Sequence, residues 1–238
     1  MIVLPSTLSR MDELSDWQLA ERQFSAKSYD GAAPAGTTSG VLALPAIAGT
    51  LVVFTAPHAV NHRRNDQVKL ADRGTGGLAV ALHERAGVGA LVTAQYVGGD
   101  ANFDRSHPLK DLLFATRPQP RAVVDLHGMR EGDGRADVVI GTSRDRVLGF
   151  PLGQVAKAFL EAEGLVVSID EPFDACRATS VTRFAHDLGI PAIQLELAPT
   201  LRPPLWEPPR AKAVFRGLMA LATEVSVSVT QRARLESA

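Results

Sequence analysis

The sequence predicts a three-layer αβα domain, with helices on both faces of a mixed, largely parallel central sheet. Two observations predict it. Apolar runs of strand length alternate along the chain with longer stretches of helical periodicity. Several of those runs end in a polar cluster, as in open α/β sheets that hold their ligands beyond the carboxyl ends of the strands. At 238 residues the chain can bury one sizeable core. Neither a linker-like stretch nor an internal repeat divides it, so a single α/β domain over residues 1–238 is expected.

The first forty residues (1–40) are the least regular. MDELSDWQLAERQF, residues 11–24, can form a short helix, and DGAAPAGTTSG, residues 30–40, is a loop of small residues. Strands are expected at Val41–Leu44 and Thr50–Phe54, joined through a turn containing Pro45 and Gly49. A helix-like stretch follows at Leu70–Arg85, then a strand at Ala90–Tyr96 and a helix at Leu109–Ala115. Ala122–Leu126 opens with three apolar residues in a row, which suits a strand covered on both faces. After it come a helix at Leu152–Glu163, a strand at Leu165–Ile169, a short helix around Val181–Leu188 and a strand at Ala192–Leu197. A C-terminal helix over 208–238 closes the chain, and the spacing of Phe215, Leu218, Met219 and Ala222 turns one of its faces to the core.

Composition narrows the function. A net charge of −1 and a pI near 6.6 carry no footprint for nucleic acid. The single cysteine, Cys176, forms no internal disulfide and suits a reducing, cytoplasmic setting. No basic segment followed by an apolar run opens the chain, so no signal peptide is expected. Gly31 to Asn61 carries no charge and is long enough to span a bilayer, but Pro45, Gly49 and Pro57 cut it into strand-length pieces, and no membrane partner is expected. Oligomeric state is not legible.

Three polar clusters follow apolar strands: TAPHAVNHRRND with His58, Asn61, His62 and Asp66; DLHGMR with Asp125, His127 and Arg130; and PAIQLELAP with Glu196. By itself Glu196, sharing a face with Gln194, reads as one side of a solvated strand. A single histidine past a strand reads as hydrogen-bonded structure. Two such histidines, His58 and His127, can converge on one point and suit zinc, which takes about three protein ligands. Asp125 faces the same way as His127 and can fix its tautomer. Other chemistries lack their signatures. There is no G-x-S-x-G elbow around Ser143, no phosphate loop, and no dinucleotide spacing in DRGTGGLA. Cys176 has only Arg177 nearby to activate it, and His186-Asp187 reads as helix surface.

Together the clusters resemble the N-formylglutamate amidohydrolases and, more distantly, the zinc carboxypeptidases that share their phosphorylase/hydrolase-like fold. The pieces that carry the resemblance are APHAVN around His58, DRGTGGLA at Asp72–Ala79, DANFDR at Asp100–Arg105, DLHGMR at Asp125–Arg130, GRADVVIGT at Gly134–Thr142, VTRFAHDLG at Val181–Gly189 and IQLELA at Ile193–Ala198. The resemblance implies that His58 and His127 hold zinc, or another divalent metal, with an acidic third ligand. Asp72 is the choice; Asn61, His62 and Asp66 are rivals. It implies that Glu196 is the general base, and that Asn102, Arg105, Arg130 and Arg183 recognise a small acidic N-acyl amino acid. Phe103 stands where the family pattern has an arginine. A carboxypeptidase-like action on short peptides and a non-catalytic anion-binding protein on the same fold are the alternatives.

Overall fold

The structure, a computed structural model, describes residues 13–25, 37–47, 50–96, 98–133, 135–144, 151–203 and 205–236. Strands β1 (Thr37–Thr38), β2 (Val41–Leu44), β3 (Val52–Ala56), β6 (Gly89–Thr93), β7 (Ala122–Gly128), β8 (Val138–Gly141), β9 (Val167–Ile169) and β10 (Ala192–Leu197) form one sheet in the order β1-β2-β6-β3-β7-β10-β8-β9. The middle four strands, β6-β3-β7-β10, run parallel; β2 and β8 join that block antiparallel. A separate hairpin, β4 (His62–Arg64) and β5 (Gln67–Lys69), stands beside the sheet and turns at Asn65 and Asp66, both at positive φ.

Among the described residues six α-helices cover the sheet: α1 (Glu13–Ser25), α2 (Thr75–Ala86), α3 (Pro108–Ala115), α4 (Leu152–Ala162), α5 (Val181–Asp187) and α6 (Pro208–Glu236). Period-two alternation sorts the strand residues between two cores. Val52, Phe54, Ala122, Val124, Leu126, Ile193, Leu195 and Leu197 pack under α1, α2, α4 and α6. Val53, Val123 and Ala192 face the other way, against Leu109 and Leu113 of α3 and Val181 and Ala185 of α5. That makes the three layers that the alternating pattern predicts.

Several expectations are refined. The strands at 41–44 and 52–56 do not pair, because β6 lies between them. The β8 strand and the β4–β5 hairpin were not foreseen: each is four residues or shorter, too brief for periodicity to register. The helix expected from Leu70 starts at Thr75, because Gly74 has φ 94°, a left-handed conformation that ends the preceding turn. The irregular N-terminal segment holds a helix that belongs to the core. Leu14, Trp17, Ala20 and Phe24 recur at helical spacing on α1 and are buried. Helix α1 lies so close to α2 that a Cβ at Gly77 would stand 2.6 Å from the Glu21 backbone nitrogen. Most of the loop at 30–40 lies outside the described residues.

Candidate active site

On the face that α3 and α5 cover, each central strand changes character along its length. Val53 is followed by Thr55, Val123 by Asp125 and His127, and Ala192 by Gln194 and Glu196. Parallel pairing sets these polar ends side by side: Thr55 is in register with Asp125, and His127 with Glu196. His58 follows directly after β3, so the parallel block delivers two histidines and a glutamate to one end of the sheet. A cleft of about 1050 Å³ opens there, lined by His58, Asp72, His127 and Glu196 among others.

Asp72 enters from the turn before α2. Its Oδ2 lies 3.3 Å from Nδ1 of His58 and 3.2 Å from Nδ1 of His127. The turn is held from three sides. Glu21 of α1 accepts from the Gly74 and Gly77 amides at 2.8 and 2.9 Å, Trp17 Nε1 donates to the Gly74 carbonyl, and Arg202 donates to the Arg73 carbonyl. The glycines of DRGTGGLA thus serve close packing and a left-handed turn that aims Asp72.

Each histidine has a carboxylate on its far nitrogen. Nε2 of His58 lies 2.8 Å from Asp100 Oδ1, and Nε2 of His127 lies 3.0 Å from Asp125 Oδ2. Asp125 is held in turn by Thr55, whose hydroxyl donates to Oδ1 at 2.5 Å. The two outer carboxylates orient the rings so that both Nδ1 atoms face Asp72. The three inward atoms, two imidazole nitrogens and one carboxylate oxygen, form a donor set that can hold a divalent metal. A second group, His58, His62 and Asp100, also lies within ligand distance. There, however, Arg64 Nε and Nη2 both sit 2.7 Å from Asp100 Oδ2, so a guanidinium already holds that carboxylate.

The charges are coupled. Burial opposes a charged His127, but Asp125 and then Asp72 and Glu196 outweigh it and raise its pKa well above the ordinary histidine value. His58 is raised in the same way, with burial overcome by Asp100 and Asp72. Burial alone would raise Asp72 and Asp100; their histidine partners hold both below the usual carboxylate range. Among the described residues no such cation contacts Glu196, and burial pushes its carboxyl up to about 7, against the pull of His127. Gln194 Nε2 donates to Glu196 Oε1 at 2.9 Å, which leaves Oε2 for a proton. The strand is central rather than at an edge, so Gln194 and Glu196 are buried in the cleft wall and the reading of a solvated face is overturned.

Among the rivals for the third position, Asn61 Oδ1 accepts from the Ala71 amide, His62 stacks on His58 with ring centroids 4.1 Å apart, and Asp66 is exposed at the hairpin turn. None of them meets both His58 and His127. The residues expected to recognise substrate divide. Asn102 and Arg130 line the cleft. Arg105 is exposed and Arg183 pairs with Asp187 one turn on; neither lines the cleft. His186 is buried rather than on the surface, with Nε2 3.0 Å from the Ala192 carbonyl. Burial and Asp174 push the Cys176 thiol up, the opposite of an activated nucleophile. Asp100 was missed as an orienting partner; its one sequence signal is that it opens DANFDR.

The model of the N-formylglutamate amidohydrolase family matches residues 107–201, less than half of the chain, and bears out the resemblance over that stretch. The match includes His127 and Glu196 and marks the protein as a hydrolase of amide C–N bonds; His58 and Asp72 lie before it. A crystal structure of N-formylglutamate amidohydrolase from Ralstonia eutropha JMP134 is 16% identical, with a TM-score of 0.55 over 82% of this chain and 99% of that one. A crystal structure of a gene product from Agrobacterium tumefaciens is 14% identical, with a TM-score of 0.57 over 80% and 94%. At these identities the likeness is one of fold. No curated protein matches the sequence significantly. No helix among the described residues is long and apolar enough to cross a membrane.

Proposed function

We propose that the protein is a zinc-dependent amidohydrolase that cleaves the amide bond of a small acidic N-acyl amino acid in a reducing, cytoplasmic setting. One observation carries the reading: His58 Nδ1, Asp72 Oδ2 and His127 Nδ1 converge within 3.3 Å contacts, beside a buried glutamate whose carboxyl is pushed up to about 7. The donor set fits a dication on charge as well as on distance. Asp72, Asp100, Asp125 and Glu196 surround two histidines, and that excess of carboxylate is what raises both imidazoles. His58, Asp72 and His127 would hold the metal. When bound it supplies Lewis acidity, polarising a carbonyl and making water a stronger acid.

Everything else is done by the chain. Glu196 titrates near neutrality, so its Oε2 can accept a proton from an attacking water and release it to the departing amine. Gln194 fixes which oxygen does so. Asp125 and Thr55 keep His127 from rotating, and Asp100 with Arg64 does the same for His58. Arg130 stands at the cleft rim, where an anionic substrate enters.

Zinc-loaded protein assayed on a panel of N-formyl and N-acetyl amino acids tests this reading. Glu196→Gln keeps the Gln194 side of the contact and removes the base, so kcat should fall by about two to four orders of magnitude. A variant that turns over at the wild-type rate would remove Glu196 from the mechanism.

A further inference from the structure

We infer that Arg177, laid across the ring of Phe103, is the residue that takes the substrate's carboxylate. This rests on the reading of the cleft as a site for an acidic substrate, and it follows from which cationic groups there remain uncommitted. Arg202 donates to three backbone carbonyls, those of Leu197, Arg73 and Met129, and is buried. Arg64 is spent on Asp100. The amide of Asn102 is also spent: Oδ1 accepts from the Val181 N–H at 2.6 Å, and Nδ2 lies 2.6 Å from His127 Nε2 and 3.3 Å from Asp125 Oδ2. Among the described residues no carboxylate pairs with the side chain of Lys69, Arg130 or Arg177, and all three line the cleft.

Arg177 differs from Arg130 and Lys69 in having a platform. Its Cζ lies 4.9 Å from the centroid of the Phe103 ring, which Arg64 also approaches at 5.5 Å. A guanidinium stacked on a ring keeps its N–H edge open for a two-pronged contact with a carboxylate, and the stack reduces the freedom lost on binding. The platform is itself anchored. Phe103 follows Asn102, which touches His127. The segment carrying Arg177 is tied to the same loop, since Thr179 donates to the Asn102 carbonyl at 3.2 Å and Lys110 Nζ bridges the carbonyls of Asp104 and Thr179. The segment that carries Arg177 is therefore tied to the loop that touches His127, and both line one cleft. A cation there, apart from the metal-ligand candidates, suits an acid carrying a second carboxylate away from the scissile bond.

Calorimetric titration of the zinc-loaded protein with glutarate, and with butyrate as a single-carboxylate control, tests the inference without turnover. Arg177→Ala should weaken glutarate about ten- to hundredfold, the span of a charge-assisted pair, and leave butyrate within about twofold. Phe103→Leu, which removes only the platform, should weaken glutarate about two- to fivefold. Arg130→Ala should change it less than Phe103→Leu does. Glutarate affinity in Arg177→Ala within about twofold of wild type, an equal loss for butyrate, or wild type that binds no glutarate at millimolar concentration would each overturn the assignment. Failure of the hydrolase reading looks different: no acyl amino acid is cleaved, while the glutarate difference between wild type and Arg177→Ala persists.

Discussion

The two faces of the central sheet share strands but not chemistry. Toward α1, α2, α4 and α6, the strands present Val52, Phe54, Ala122, Val124, Leu126, Ile193, Leu195 and Leu197, apolar from end to end. Toward α3 and α5, the same strands begin apolar, with Val53, Val123 and Ala192, and end in Thr55, Asp125, His127, Gln194 and Glu196. One face spends its area on burial. The other gives up its carboxyl-terminal half to a charged cluster that the first face must hold in place. Because side chains alternate, one residue of separation along β10 is enough to move from the apolar core to the wall of the cleft.

Leu195 and its neighbour Glu196 are the sharpest place to break that comparison. Leu195→Ala should cost about 2–5 kcal/mol of unfolding free energy, the range for a buried leucine, read by urea denaturation. The folded fraction should keep its zinc affinity and its kcat. Glu196→Gln should do the reverse, losing rate while holding its denaturation midpoint, because a carboxyl raised to about 7 is a group that folding does not favour in its charged form. Equal losses of stability in the two variants would erase the distinction between the faces.

A smaller effect sharpens it through pH. His107 caps α3 on the polar side, accepting from the Leu109 amide, and burial drives its pKa down to about 4. The unfolded chain protonates this histidine near 6.5, the folded chain only near 4. Its contribution is therefore present above about pH 6.5 and lost as pH falls toward 4, amounting to about 3 kcal/mol. His107→Asn keeps a capping group without a titration. Lowering the pH from 7 to 4 should destabilise wild type more than the variant by that amount; parallel profiles would refute it.

Much of this was legible in the sequence, and the parts that were not share a cause. VVFTA, AVVDLHG and AIQLEL display the alternation that separates the two faces, and the polar residue at each strand end marks where the site lies. His58, Asp72 and His127 meet as the motifs led one to expect. What stayed hidden depends on partners remote in the chain. Apart from the family resemblance Glu196 reads as solvated, because nothing local says that β10 lies between β7 and β8. Asp100 contacts His58 from 42 positions away. Arg105 and Arg183 sit in the right motifs, but the direction of a side chain on a turn or a short helix is set by what packs around it. The clamp of Glu21 and Trp17 on the Asp72 turn comes from a segment with no motif at all.

A metal centre built from His58, Asp72 and His127 at the polar end of one sheet face makes metal content depend on those side chains. Metal content measured by mass spectrometry tests it most directly, on wild type, Asp72→Ala and His127→Ala, each stripped, reloaded with zinc and desalted, with circular dichroism to confirm folding. About one zinc per chain is expected in wild type and none retained in either folded variant. Wild type that keeps no stoichiometric metal, or Asp72→Ala that keeps it as well as wild type does, would contradict it.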